Sequence, residues 1–238
     1  MRIALIGYGK MGKAIEEIAL HRGHEIVIRI DQPNQHEFTR DNLSGADAAI
    51  EFTGPHSAYD NVKKCLEFGV PVVSGSTGWT GRLEEMKQLC EEKNGAFAYS
   101  SNFSVGVNIF FEINKRLAAL MAPHKEYEVI LEETHHTQKK DAPSGTAISL
   151  AEQVLAEVKR KKQWVNELSD NPEDLEIISQ RVDPAPGTHS VKYSSVIDTI
   201  EIIHTAHNRT GFATGAVLAA EYLKDRKGFF TMKDVLGL

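Results

Sequence analysis

Apolar positions along the chain switch between two spacings, and the switching itself predicts an architecture. Arg2–Ile6 is an apolar run of strand length. It leads into Gly7-Tyr-Gly-Lys-Met-Gly12, after which Met11, Ile15, Ile18 and Ala19 share one face of a helix. Glu25–Ile30 alternates as a strand and ends in Asp31. Further strands are expected at Ala48–Thr53, Pro71–Ser74 and Phe97–Tyr99, with helices at Ser57–Phe68 and Leu83–Glu92 between them. Ser57 stands where a helix cap belongs. Regular strand–helix alternation predicts an α/β fold with a doubly wound parallel sheet.

From Ser104 the texture changes. A long apolar helix is expected over Val107–Met121, then a strand at Tyr127–Glu133. A dense polar stretch comes next, and then a helix over Ala147–Lys161 whose basic end, Lys159–Lys162, suits the helix dipole. Asn166–Asp174 reads as a polar excursion or flexible loop. Three strands are expected after it, at Leu175–Val182, His189–Ser194 and Ile197–His204, and then a helix at Thr210–Leu223 that returns to the first domain. Asp225–Leu238 finishes the chain. Strands grouped after helices predict an α+β unit with an open mixed sheet, largely antiparallel on its open face, where subunits can associate. The domains expected are residues 1–104 plus 208–238, and residues 105–207.

Composition narrows the function classes. With 238 residues, 41% hydrophobic and 25% charged, the chain can bury ordinary soluble cores. A net charge of −6 argues against nucleic acid as the main partner. No apolar run approaches the ~20 residues that span a membrane. The N-terminus loses its apolar character at Gly7, and is expected to be a strand, not a targeting peptide. Cys65 and Cys90 lie in apolar helical patterns, so buried thiols and a cytoplasmic, reducing setting are expected.

The glycine turn carries specific chemistry. Strand, Gly7-x-Gly9-x-x-Gly12, helix, strand and an acid 19 positions after the third glycine match the dinucleotide-binding pattern. The first glycine makes the turn, the second admits a pyrophosphate, and the third lets helix and strand pack closely. Asp31 would accept from the adenosine ribose hydroxyls, which favours NAD over NADP unless Lys10 and Arg40 offset its charge. Glycines in a turn are often turn residues alone, and Lys10 reads equally well as a solvated surface lysine. Thr53–His56, Gly75–Gly78 and Ser100–Phe103 come after later strands. Their small, hydroxyl-bearing residues suit a ribose and nicotinamide at the carboxyl edge of the sheet.

The polar stretch is the second centre. His135, His136, Lys139, Lys140 and Asp141 fall within seven residues, just before Pro143-Ser-Gly-Thr146 opens a helix. Ser144 is a natural N-cap, and the N–H groups of Gly145 and Thr146 make a carboxylate cradle. Lys139 adds positive charge, and the histidines add donors that ionise near neutrality. A surface or core role for the histidines is the plainer alternative. A metal set of His135, His136 and Asp141 is disfavoured, because adjacent histidines on an extended strand point to opposite faces.

The run Glu133–Ala147 closely resembles the signature of the 4-hydroxy-tetrahydrodipicolinate reductases, long called dihydrodipicolinate reductases. Gly7–Gly12, Gly75–Gly78, Asn102–Gly106 and Phe230–Leu236 also look like this family, so the similarity covers nearly the whole chain. The glycine turn is one residue shorter than the family's common form. The resemblance implies reduction of a cyclic dicarboxylate in lysine and diaminopimelate biosynthesis, with NADH or NADPH as cofactor. It implies His135 and Lys139 as proton donors, His136, Gly145 and Thr146 as substrate contacts, and Lys140 as a bystander. For the cofactor it implies Gly7, Tyr8, Gly9, Lys10, Met11, Gly12, Asp31, Gly75, Ser76, Thr77, Ser100, Ser101, Asn102 and Phe103. It also implies a homotetramer built through the second domain's sheet. Two rivals lack their hallmarks. An aldehyde-phosphorylating dehydrogenase needs a cysteine nucleophile that neither Cys65 nor Cys90 is placed to be. A non-catalytic NAD sensor needs an output element such as a basic recognition helix.

Overall fold

The structure is a computed structural model that describes residues 1–208 and 210–238. In chain order its elements begin β1 (Arg2–Ile6), α1 (Lys10–His21), β2 (Glu25–Ile30), α2 (Arg40–Leu43) and β3 (Ala48–Glu51). They continue α3 (Ala58–Phe68), β4 (Val72–Ser74), α4 (Leu83–Glu92), β5 (Ala96–Tyr99), α5 (Val105–Met121) and β6 (Glu128–His135). Next come α6 (Gly145–Glu157), β7 (Gln163–Val165), β8 (Asp174–Arg181), β9 (Gly187–Ser194) and β10 (Thr199–Ala206). Last are α7 (Thr210–Leu223), β11 (Gly228–Phe230) and α8 (Met232–Leu236). The chain divides into two compact units: Met1–Val105 with Thr210–Leu238, and Gly106–Arg209.

Unit 1 is a six-stranded parallel sheet in the order β11-β5-β4-β3-β1-β2. β1 and β3 are buried on both faces apart from Arg2, which is why they read as continuous apolar runs without alternation. One face packs on α1, α7 and α8 through Ile15, Ala216, Leu223 and Met232. The other packs on α3 and α4 through Val62, Leu66 and Met86, and holds both free cysteines. Burial pushes the Cys65 thiol far above its ordinary value, so it is inert. The strand order reverses between β1 and β3, which puts the crevice for ligands at the carboxyl ends of those strands.

α7 comes in close because residue 215 is glycine. A Cβ there would lie 1.7 Å from the Phe103 carbonyl oxygen. The two elements after α7 escape the hydrophobic pattern of the sequence. β11 adds the sixth strand beside β5, and α8 closes with a capping box from Thr231 and Asp234. At three and five residues these elements are too short for periodicity to reveal.

Unit 2 is a five-stranded mixed sheet in the order β10-β9-β6-β8-β7. The pairs of β9 with β10 and β6 are antiparallel, while β6–β8 and β8–β7 are parallel, so the sheet is less antiparallel than the strand grouping implied. α5 and α6 cover one face through Phe110, Met121, Leu150 and Val154. Ile200 and Ile203 on the edge strand β10 remain exposed.

Two stretches differ from their expected form. α6 stops at Glu157, because Val158 leaves the helix with ψ 78° and turns into the core. The basic run therefore lies beyond the helix. Lys161 is buried and pairs with Glu128 at 3.0 Å, and Arg160 donates to the carbonyls of Ala122 and Tyr127. Asn166–Asp174 is a hydrogen-bonded loop tied to Asp174 by Ser169 and Asn171, with β7 just before it. Among the described residues no helix is long and apolar enough to cross a membrane.

The tight approach of α7 makes a prediction. Gly215→Ala forces the helix off the Phe103 backbone, and should cost about 1–3 kcal/mol, the usual penalty for overpacking. Urea unfolding measures it; an unchanged midpoint would contradict the packing.

Candidate active site

In unit 1 the glycine turn joins β1 to α1. Gly7 has φ +92°, and a Cβ there would lie 2.1 Å from the Phe52 carbonyl oxygen, so the turn needs glycine. A Cβ on Gly12 would lie 2.2 Å from the Gly7 carbonyl oxygen, which is the close packing expected of the third glycine. Gly9 meets nothing within 4 Å and leaves the backbone open. It precedes α1 without any side-chain cap, so the first-turn N–H groups of Lys10 and Met11 have no acceptor within the helix. The turn is thus shaped to take a pyrophosphate.

The neighbouring residues sort by role. Tyr8 donates its hydroxyl to Glu16, which also accepts from Arg29, while Lys10 is exposed. Asp31 follows β2, accepts from the Gln32 N–H at 2.9 Å and caps the turn after it. Arg40 is not available to offset its charge. Its guanidinium donates to the carbonyls of Glu67 and Phe68 at the end of α3, on the opposite edge of the sheet.

One buried carboxylate gathers two of the remaining loops. Glu51, at the end of β3, is fully buried. Its Oε1 accepts from Thr53 N–H at 2.9 Å, Thr53 Oγ1 at 2.5 Å and Ser76 Oγ at 2.8 Å, and its Oε2 from Ser74 Oγ at 2.6 Å. Ser76 is thereby buried, while Thr77 beside it is exposed. Gly75 is needed there because a Cβ would run into the Phe52 ring at 2.1 Å. In the next loop the Ser100 hydroxyl bridges to the Asn102 backbone, and Ser101 is exposed. Phe103 is buried in the core against Phe52, so only its backbone is left for a ligand.

In unit 2 the register of the sheet builds a separate polar centre. Glu133 on β6 lies opposite Ser179 of β8 on one side and His189 of β9 on the other, and His135 lies beside Arg181. Glu133 is buried and accepts from Ser144 N–H at 3.1 Å, Ser179 Oγ at 2.8 Å and Arg181 at 3.1 Å. Burial by itself would raise this carboxyl. The facing His189 imidazole and hydrogen bonds from Ser144, Ser179 and Arg181 outweigh it and hold the group far below the usual carboxylate range.

His135 is buried beside it, with Nδ1 3.4 Å from Glu133 Oε2 and its ring 5.0 Å from that of His189. Burial first, then the facing His189, lower its pKa to about 4, against the opposing pull of Glu133. The ring is therefore neutral at pH 7. His136 is half-buried, on the other side of the strand end. Thr137 binds Asp183 through both N–H and hydroxyl, fixing the loop after β6. Lys139 pairs with Asp141 at 2.8 Å, and Lys140 is exposed.

The helix start forms where the sequence predicted. Ser144 caps α6 by accepting from the Ala147 N–H, and Gly145 and Thr146 occupy the first turn, at the surface. Glu133, Arg181, His189 and Ser179 were not foreseen. His189 carried a weak signal, a histidine in the inward phase of a strand that is otherwise apolar inward. A different ion set also emerges. Among the described residues Glu133, His135 and His189 are close enough to hold a metal ion, in place of His135, His136 and Asp141. The Arg181 guanidinium on the same carboxylate opposes a cation there.

Known proteins match both parts of the chain. Residues 1–103 match the model of dihydrodipicolinate reductase, N-terminus, and residues 106–236 that of its C-terminus. A 4-hydroxy-tetrahydrodipicolinate reductase of Christiangramia forsetii is 49% identical over 236 residues, 99% of this chain and 98% of its own. One of Methanoregula boonei is 36% identical over 196 residues, 81% of this chain and 75% of its own. The solved structure of a dipicolinate-bound dihydrodipicolinate reductase from Paenisporosarcina sp. TG-14 shares the fold, with TM-score 0.78 and 22% identity over 97% of each chain. The chain belongs to the dihydrodipicolinate reductase family.

Proposed function

We propose the residue roles through which this chain performs its family's reaction. That reaction is the reduction of 4-hydroxy-tetrahydrodipicolinate to tetrahydrodipicolinate with NADH or NADPH, in lysine and diaminopimelate biosynthesis. The observation that carries the assignment is the gathering of a helix N-terminus, His135 and Ser144 around the buried carboxylate of Glu133. Such a site presents N–H donors and proton donors to a small anion, and the Paenisporosarcina relative is a structure with dipicolinate bound.

On this reading unit 1 is the dinucleotide-binding domain. The turn Gly7–Gly12, including Tyr8, Lys10 and Met11, holds the pyrophosphate, and Asp31 takes the adenosine ribose. Gly75, Ser76, Thr77 and Ser100–Phe103 border the nicotinamide end, Phe103 by its backbone. Bound reduced nicotinamide supplies the hydride. Unit 2 is the substrate domain. Gly145 N–H, Thr146 N–H and the Thr146 hydroxyl take one carboxylate, and His136 assists. Lys139 and His135 neutralise the dicarboxylate and deliver the proton that must follow the hydride.

The low affinity of free His135 for a proton fits this role. A dicarboxylate brings negative charge to a buried ring, which favours the imidazolium, so the proton arrives with the substrate. The exposed Ile200 and Ile203 on β10 support assembly of second copies through this sheet, as a homotetramer. A biosynthetic enzyme with buried free thiols fits the cytoplasm.

Three outcomes are expected. His135→Ala or Lys139→Ala should lower turnover by roughly 10²–10⁴, the usual yield of positioned proton transfer, while NADH binding measured by fluorescence persists. Wild-type turnover in either variant would sink the assignment. Thr146→Val should raise KM for the dicarboxylate with little change in kcat; an unaltered KM removes Thr146 from the cradle.

The third outcome concerns protons. At pH 6 His135 is largely deprotonated in the free protein, since its folded value lies near 4. Dipicolinate binding should then take up close to one proton, read by calorimetry in buffers of different ionisation enthalpy. The uptake should largely vanish in His135→Gln, and equal uptake in both proteins would contradict the role given to His135.

A further inference from the structure

The surroundings of His135 distinguish its two ring nitrogens. Nδ1 faces Glu133, with Oε2 3.4 Å away. Nε2 faces the backbone at Gly187, where a Cβ would come within 3.1 Å of it. Residue 187 has no Cβ, so Nε2 is left clear on that side.

Glu133 itself is not free to turn. Arg181 and Ser179 hold Oε1, and Ser144 N–H reaches both oxygens. Oε2 faces two imidazoles, His135 Nδ1 at 3.4 Å and His189 Nε2 at 3.6 Å. His189 Nε2 also lies 3.1 Å from the Ser144 hydroxyl. That hydroxyl already accepts the Ala147 N–H at the head of α6. The carboxylate that faces the proton donor therefore also fixes the cap of the carboxylate cradle.

We propose that Glu133, with His189, is a positioning residue that holds the proton of neutral His135 on Nδ1, leaving Nε2 to take up and pass on the catalytic proton. This rests on His135 being the proton donor. The carboxylate favours an N–H on the nitrogen that faces it. The 3.4 Å separation is long for a hydrogen bond, and catalytic hydrogen bonds of this kind commonly tighten once a ligand is bound. The groups that bear on the ring are Glu133 on its own strand, Arg181 on β8, His189 on β9 and Lys139 in the loop. Glu133 alone among them is negative, so it alone selects a tautomer by attraction. Gly187 serves the same arrangement sterically.

The experiment is nitrogen NMR of imidazole-labelled protein at pH 7, with His135 assigned by comparison with His135→Gln. The expected wild-type spectrum places Nδ1 of His135 in the protonated, pyrrole-like range and Nε2 in the bare, pyridine-like range. Glu133→Gln should move the ring to the other tautomer or to a mixture of the two. It should also lower kcat by about 10- to 100-fold while leaving the NADH dissociation constant in place. A Nε2–H tautomer in the wild type overturns the proposal, and that measurement needs no variant of Glu133 to fold. An unchanged tautomer and kcat in folded Glu133→Gln also overturns it. Failure of the donor assignment is separate: His135→Ala would then turn over normally, whatever tautomer the wild-type ring adopts.

Discussion

A charged carboxylate removed from water must be given donors, or it costs several kcal/mol. Each unit of this protein meets that demand near the carboxyl end of a strand. Glu51 ends β3 and Glu133 lies near the end of β6, and both are buried to within 1%. Their donors come from loops that would otherwise have little reason to hold one shape. Glu51 draws in Thr53 and Ser76, and so fixes two loops at the edge where a parallel sheet binds its ligands. Glu133 draws in the head of α6, the end of β8 and a histidine of β9. Order in both places comes from one requirement, the satisfaction of a buried carboxyl group.

The two carboxylates differ in what they recruit. The hydrogen bonds to Glu51 come from serine and threonine hydroxyls and a backbone amide, none of which changes charge near neutrality. That suits the cofactor-holding role proposed for the Ser76 loop, which must keep one shape. Glu133 is surrounded by a guanidinium and two imidazoles. The fixed negative charge of Glu133 offsets part of the cost of protonating the His135 ring beside it, as the proposed role requires. The same fixed charge, balanced by Arg181, makes the site a poor cation trap although its ligand atoms are close enough for one.

What the sequence revealed and what it concealed divide by range. The helices α4 and α7 and the strands β1 and β2 were legible to the residue, because hydrophobic spacing and glycine turns are local signals. The cap at Ser144 was legible for the same reason, since a helix cap lies within four residues of the groups it satisfies. The network behind it was not. Glu133 and Arg181 are 48 positions apart, and Ser144 and His189 are 45 apart, so only the sheet register brings them together. Arg40 shows the opposite failure. Its charge suggested a place near Asp31, but a long side chain reached carbonyls on the other edge of the sheet.

The ending of α6 shows why the polar stretch could be contiguous while its support is dispersed. Lys159–Lys162 read as a helix terminus, yet Val158 turns inward and sends Lys161 to Glu128 at the start of β6. The head of α6 meets Glu133 farther along the same strand. The head of the helix and the turn that follows its last residue are thus both tied to β6, one through an amide on a carboxylate and the other through an ion pair. With both tied, the α6 N-terminus cannot slide along the sheet without breaking a buried polar contact. The role proposed for that terminus needs such rigidity, because the N–H groups at a helix terminus act only over its first turn. The local motif supplies the donors, and the long-range contacts decide where they point.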